Sequence, residues 1–115
     1  MKRQELAQRI NLIARQTGKF TLRSGMVSDT YFDKYRFEAD PILLAAIAAH
    51  SAPLVPAGTQ ILAGLELGGV PLATALGLHL GLNLAFVRKE AKTYGTCRLA
   101  EGSDVAGKKV LVVED

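Results

Sequence analysis

The chain has only one cysteine, Cys97, among 115 residues. That excludes an intrachain disulfide and fits a reducing compartment. It has two histidines, His50 and His79, and neither belongs to a metal-ligand spacing, so both read as structural. The formal charge is only +3, without the dense basic stripe that marks a nucleic-acid surface. Long apolar runs are missing too. The longest, Ile42 to Ala49, is far too short to span a bilayer, and the polar start Met1-Lys2-Arg3-Gln4-Glu5 is unlike a signal peptide. Internal repeats and low-complexity linkers are also lacking. What is present is a 49% hydrophobic composition, enough for about one small domain with a real core. The expectation is a soluble, cytoplasmic protein with no nucleic acid and no membrane among its partners.

Leu6, Ala7, Ile10, Ile13 and Ala14 recur at helical spacing and predict a helix from Lys2 to Thr17, stopped by Gly18. Phe20-Thr21-Leu22 and Thr30-Tyr31-Phe32 read as short strands around a Ser24-Gly25 turn, set apart from the main sheet as a cap. Asp40-Pro41 predicts a helix start, with Asp as N-cap and Pro in the first turn, and the helix ends before Pro53. Gln60 to Ala63 is then a buried strand, Gly64 to Gly69 a glycine-containing turn, and Val70-Pro71 opens a helix that ends by Gly81. Leu84 to Val87 follows as a second buried strand, Cys97 to Ala100 as a further one, and Val110 to Val113 as a buried terminal strand. Helices alternating with apolar strands predict an α/β fold with a mostly parallel sheet.

Three places could carry chemistry. Arg88, Lys89 and Lys92, with Arg98 beyond, leave the end of a buried strand, where cations face the ligand side of an open sheet. They could grip phosphate by charge-assisted hydrogen bonds, with Gly95 lending mobility to a closing loop, or could form a solvated surface loop. The Gly64–Gly69 turn offers backbone N–H groups and a helix N-terminus to an anion. It has neither the spacing of a dinucleotide fingerprint nor the Lys-Ser/Thr ending of a P-loop, and a tight strand-to-helix turn explains it equally well. Glu114-Asp115 could hold a vicinal diol or sit near a phosphate-bound magnesium ion, or be a solvated strand end. No helix N-terminus is placed to lower the Cys97 pKa, so a catalytic thiol is not expected.

Taken together, Phe20-Thr21-Leu22-Arg23-Ser24-Gly25, Tyr31-Phe32-Asp33, the Gly64 to Pro71 turn, Phe86-Val87-Arg88-Lys89-Glu90-Ala91-Lys92-Thr93-Tyr94-Gly95 and Val110-Leu111-Val112-Val113-Glu114-Asp115 resemble segments of one family in family order. The family is orotate phosphoribosyltransferase, a type I phosphoribosyltransferase of pyrimidine (UMP) biosynthesis. The resemblance covers nearly the whole chain, and the Arg-Lys-x-x-Lys loop is its most specific piece. It implies an α/β phosphoribosyltransferase-like core from 41 to 115, preceded by an N-terminal helix and hood strands over 1–40, together the N-terminal portion of one domain. The implied reaction moves ribose 5-phosphate from 5-phosphoribosyl 1-diphosphate to orotate. It releases diphosphate and orotidine 5′-monophosphate, with Mg²⁺ carried on the diphosphate and no residue as a direct metal ligand.

By that resemblance Arg88 and Lys89 hold the diphosphate, and Lys92 is the catalytic cation of a mobile loop. Glu114 and Asp115 bind the ribose hydroxyls, and Arg23, Tyr31 and Phe32 lie in the hood on the orotate side. Two subunits pair as a homodimer, the loop of one serving the other. Tyr94 stands where many members have His and contributes a phenol in place of an imidazole. Gly68 replaces a Lys of some members. The family's Thr/Gly-rich phosphate loop is expected after Asp115, and further strands beyond the terminal one. The 115-residue chain alone is therefore expected to be C-terminally truncated, poorly soluble or weakly folded, and without turnover. A non-catalytic phosphoribosyl diphosphate-binding regulator on the same fold is the alternative, although no added DNA-binding segment is seen.

Overall fold

The computed structural model describes residues 1–115, which form two compact units, Met1–Ala46 and Ile47–Asp115. In the first unit, α1 (Arg3–Ala14) buries Leu6 and Ala14, while Ala7 and Ile13 of the expected apolar face stay exposed. The Arg9 guanidinium reaches Glu5 at 3.1 Å, one helical turn away. The helix stops at Ala14, three residues before its expected end. Arg15, Gln16 and Thr17 instead open β1 (Arg15–Thr21), paired antiparallel with β2 (Val27–Phe32). Gly18, predicted as the stop, lies inside β1 at φ 153°. The register slips by one residue between Thr17 and Phe20, so Gly18 marks a bulge. The hairpin closes as read: Gly25 takes φ 86°, and the Leu22 N–H donates to Met26 O at 2.8 Å.

A short helix that the pattern did not announce follows, α2 (Lys34–Glu38). Asp33, read as the end of a strand, is its cap, with Oδ1 accepting from the Tyr35 N–H at 3.1 Å. Next, α3 (Pro41–Ser51) starts where Asp40-Pro41 predicts. Asp40 Oδ1 accepts from the N–H groups of Ile42 at 2.9 Å and Leu43 at 3.2 Å, satisfying two donors that a helix start leaves open.

The second unit holds a four-stranded sheet built from β3 (Ile61–Leu65), β4 (Asn83–Val87), β5 (Ala100–Gly102) and β6 (Val110–Val113), in the order β5-β4-β3-β6. β3 is parallel to both neighbours, and β5 runs antiparallel to β4. Ile61, Leu62 and Ala63 are all buried, the apolar continuity of a strand covered on both faces. Leu62 packs with Ala48, Ala73, Leu76 and Val113, whereas Ile61 and Ala63 pack with Ala85. Between β3 and β4, α4 (Val70–Leu80) ends in left-handed Gly81, whose N–H bonds to Gly77 O.

Three strand expectations change. β3 runs on through Gly64 and Leu65, which were expected in the turn, because both pair with β4. Cys97 has φ 54° and closes a turn onto Tyr94 O at 3.1 Å, so the strand starts only at Ala100. A left-handed residue cannot join an extended ladder. The terminal strand is half covered, not buried. Val113 is 8% exposed but Val112 is 57% exposed, because β6 is an edge strand covered on one face. No helix is long and apolar enough to cross a membrane.

Candidate functional site

Parallel pairing places the C-terminal ends of β3, β4 and β6 side by side. Gly64 pairs with both Phe86 and Val113, and Leu65 with Val87. The residues that follow each strand, namely Glu66, Arg88 and Glu114, therefore leave the same end of the sheet, where open α/β sheets bind ligands.

From β4 the chain runs into the basic segment. Its neck is closed by the Arg88 N–H donating to Leu99 O at 2.8 Å, with a second, longer link from the Lys92 N–H to Arg98 O at 3.4 Å. Two cations of this segment converge on one carboxylate oxygen. Glu101 Oε2 accepts from Lys92 Nζ at 2.8 Å and from Arg88 Nε at 3.2 Å. The hydrogen bond from Lys92 is the main cause that holds the Glu101 carboxyl below its ordinary value. Desolvation opposes it, and Arg88 adds to the lowering. The Lys92 side chain is only 16% exposed, and its ammonium stands 5.5 Å from the centre of the Tyr94 ring. Glu66 supports the other side of the loop, its Oε1 accepting from the Lys89 N–H at 3.0 Å. Glu66, Val70, Phe86, Val87, Arg88 and Glu101 line a cleft of about 360 Å³.

The glycine turn lies against the end of β6. A Cβ on Gly69 would run into the carbonyl oxygen of Val113, and one on Gly68 into the Asp115 carboxylate. Gly64 is tight against the start of α4, where a Cβ would stand 2.9 Å from Val70 Cα. At Gly64 and Gly69 glycine is thus required for close approach of backbone to backbone, whereas Gly68 faces a side chain. The Glu66–Gly69 segment, whose Glu66-Leu67 peptide is cis, touches Lys89 through Glu66 and the Glu114-Asp115 end through its glycines.

The structure therefore unites Arg88 and Lys92 on one carboxylate. It sets Lys89 beside Glu66, and Glu114 and Asp115 on the far side of the glycine turn. The lining of the cleft includes Arg88 but not Lys89, Glu114 or Asp115. Tyr94 and Arg98 are exposed on the loop. In the first unit, Arg23 is exposed in the hairpin turn. Tyr31 stacks on Phe20 at 5.5 Å and Phe32 tilts against Phe37 at 5.8 Å, both half exposed. Glu66 and Glu101 were not singled out by sequence. Glu66 sits inside a turn chosen for its glycines. Glu101 gives no signal until the antiparallel register sets it opposite Phe86.

No family model matches the chain. Among curated proteins, an orotate phosphoribosyltransferase of Nocardioides sp. is 56% identical over 110 residues, 96% of this chain and 62% of that protein. Among solved structures, orotate phosphoribosyltransferase of Mycobacterium tuberculosis H37Rv in complex with Fe(III) dicitrate superposes with a TM-score of 0.82 at 38% identity, over 96% of this chain and 65% of that one. The same enzyme in complex with 5-phospho-α-D-ribosyl 1-diphosphate gives 0.70 at 29% identity, over 96% of this chain and 56% of that one. The chain thus spans about three fifths of the length of these relatives.

Proposed function

We propose, from the premise that this chain belongs to the orotate phosphoribosyltransferase family, that the whole protein transfers ribose 5-phosphate from 5-phosphoribosyl 1-diphosphate to N1 of orotate. The bond from ribose C1 to the diphosphate breaks and a bond from C1 to N1 forms, with the proton of N1 released. As the bond breaks, negative charge gathers on the leaving diphosphate and the ribose carbon becomes oxocarbenium-like. Fixed cations beside that charge are the main catalytic resource of such a site.

The observation that carries the reading is the convergence of Arg88 and Lys92 on one anionic oxygen at the ligand end of the parallel strands. Two cations arranged around a carboxylate oxygen are also arranged for a phosphate oxygen. In this reading Arg88 and Lys89 bind the diphosphate, and Lys92 follows the leaving group. The Tyr94 phenol donates one hydrogen bond to it. Glu114 and Asp115, exposed at the end of β6, accept from the ribose hydroxyls. The glycine turn adds backbone N–H groups. Arg23, Tyr31 and Phe32 belong to a hood on the orotate side. Mg²⁺ arrives on the diphosphate as part of the substrate, with no residue of this chain as a direct ligand. The working form is a cytoplasmic homodimer.

The test is orotidylate formation by the full-length protein and its Lys92→Ala variant. Loss of one transition-state cation lowers kcat about 10²–10³-fold, with orotate binding unchanged. A parent without turnover, or a variant as fast as the parent, overturns the assignment.

A further inference from the structure

Glu101 and Lys92 differ in how firmly each is held. Glu101 sits in the β5 ladder opposite Phe86. Lys92 lies in a segment without regular structure, and its backbone N–H makes a 3.4 Å bond to Arg98 O. Nevertheless the Lys92 ammonium is tucked in at 2.8 Å from Glu101 Oε2, the oxygen that Arg88 Nε reaches at 3.2 Å. A fixed carboxylate thus holds a loop cation from a rigid strand and offsets the repulsion between two positive groups.

We propose that Glu101 is a positioning residue, an anionic placeholder that parks Lys92 and Arg88 in the substrate-free protein and is displaced when diphosphate enters. The inference rests on the proposed function, and it adds a residue and a competition to it. A diphosphate carries more charge and more acceptor oxygens than one carboxylate, so it outbids Glu101 for the same donors. The swap releases Lys92 from the Glu101 side chain of β5 and lets its segment follow the ligand. Such a change can be driven only by the difference in affinity between the two arrangements, and the placeholder sets that difference. Glu101 thereby makes the resting loop ordered and diphosphate binding weaker than the cations alone would give.

The experiment compares full-length protein with its Glu101→Gln and Glu101→Asp variants. Amide hydrogen exchange is followed over residues 89–99, and inorganic diphosphate binding is measured by titration calorimetry. Glu101→Gln is expected to speed exchange in that segment at least tenfold and to tighten diphosphate binding three- to tenfold, with Glu101→Asp in between. A variant that was merely damaged would bind less tightly, not more. Unchanged exchange, or diphosphate bound equally or more weakly by Glu101→Gln, overturns the placeholder. If neither parent nor variant binds diphosphate at all, the proposed function falls and the placeholder falls with it.

Discussion

A single oxygen of Glu101 organises the basic segment, and its ionisation is open to direct measurement. The carboxyl titrates below its ordinary value, chiefly because Lys92 donates to it. A depressed folded-state value means that the ion pairs favour the native loop at pH above the ordinary carboxylate range, and that this contribution disappears as pH falls through the lowered value. In a carbon-detected NMR titration Glu101 should protonate below the ordinary glutamate value, and Lys92→Ala should move it upward. Coincident curves for parent and variant would show that the contact is not formed in solution. At this scale the sequence was informative on one side only. Arg88, Lys89 and Lys92 stand out because they leave a buried strand together. The partner shared by Arg88 and Lys92 lies thirteen residues after Arg88 and becomes a partner only through a backward pairing that no local pattern announces.

Among the elements, those with strong punctuation were legible. Asp40-Pro41 fixes the start of α3 and Gly81 the end of α4, because each supplies the hydrogen bonds or the left-handed turn that a helix end requires. Replacing Asp40 by Ala should cost about 1 kcal/mol, read as a fall of a few degrees in the Tm of the full-length protein. No change in Tm would mean that the cap bonds exchange freely with water. Elements decided by pairing were read less well. Arg15 to Thr17 continue a helical pattern, yet the partners Phe32, Tyr31 and Thr30 draw them into β1. Asp33 followed a strand in sequence, and its side chain was free to cap the turn of α2. In the first case local propensity lost to cross-strand partners; in the second a cap onto the N–H two residues on won over extension of the strand.

At the scale of the whole chain, the α/β class followed from alternating apolar segments, but strand order did not. The placement of β6 beside β3, and the antiparallel return of β5, depend on connections that composition does not encode. One outcome concerns the β6 edge, where Val112 faces solvent. An uncovered edge with apolar side chains invites pairing with another copy. The 115-residue chain should self-associate in light scattering, and Val112→Lys should reduce that association without lowering Tm; a variant that aggregates equally would shift blame elsewhere. A separate consequence follows from the bond between Arg88 and Leu99. Because the two stems of the intervening stretch are already stitched together, the sheet is indifferent to how many residues hang beyond the stitch. Doubling such an appendage costs on the order of 0.6 kcal/mol in chain entropy. Insertions in that appendage should therefore leave the sheet intact, provided they spare Lys89 and Lys92.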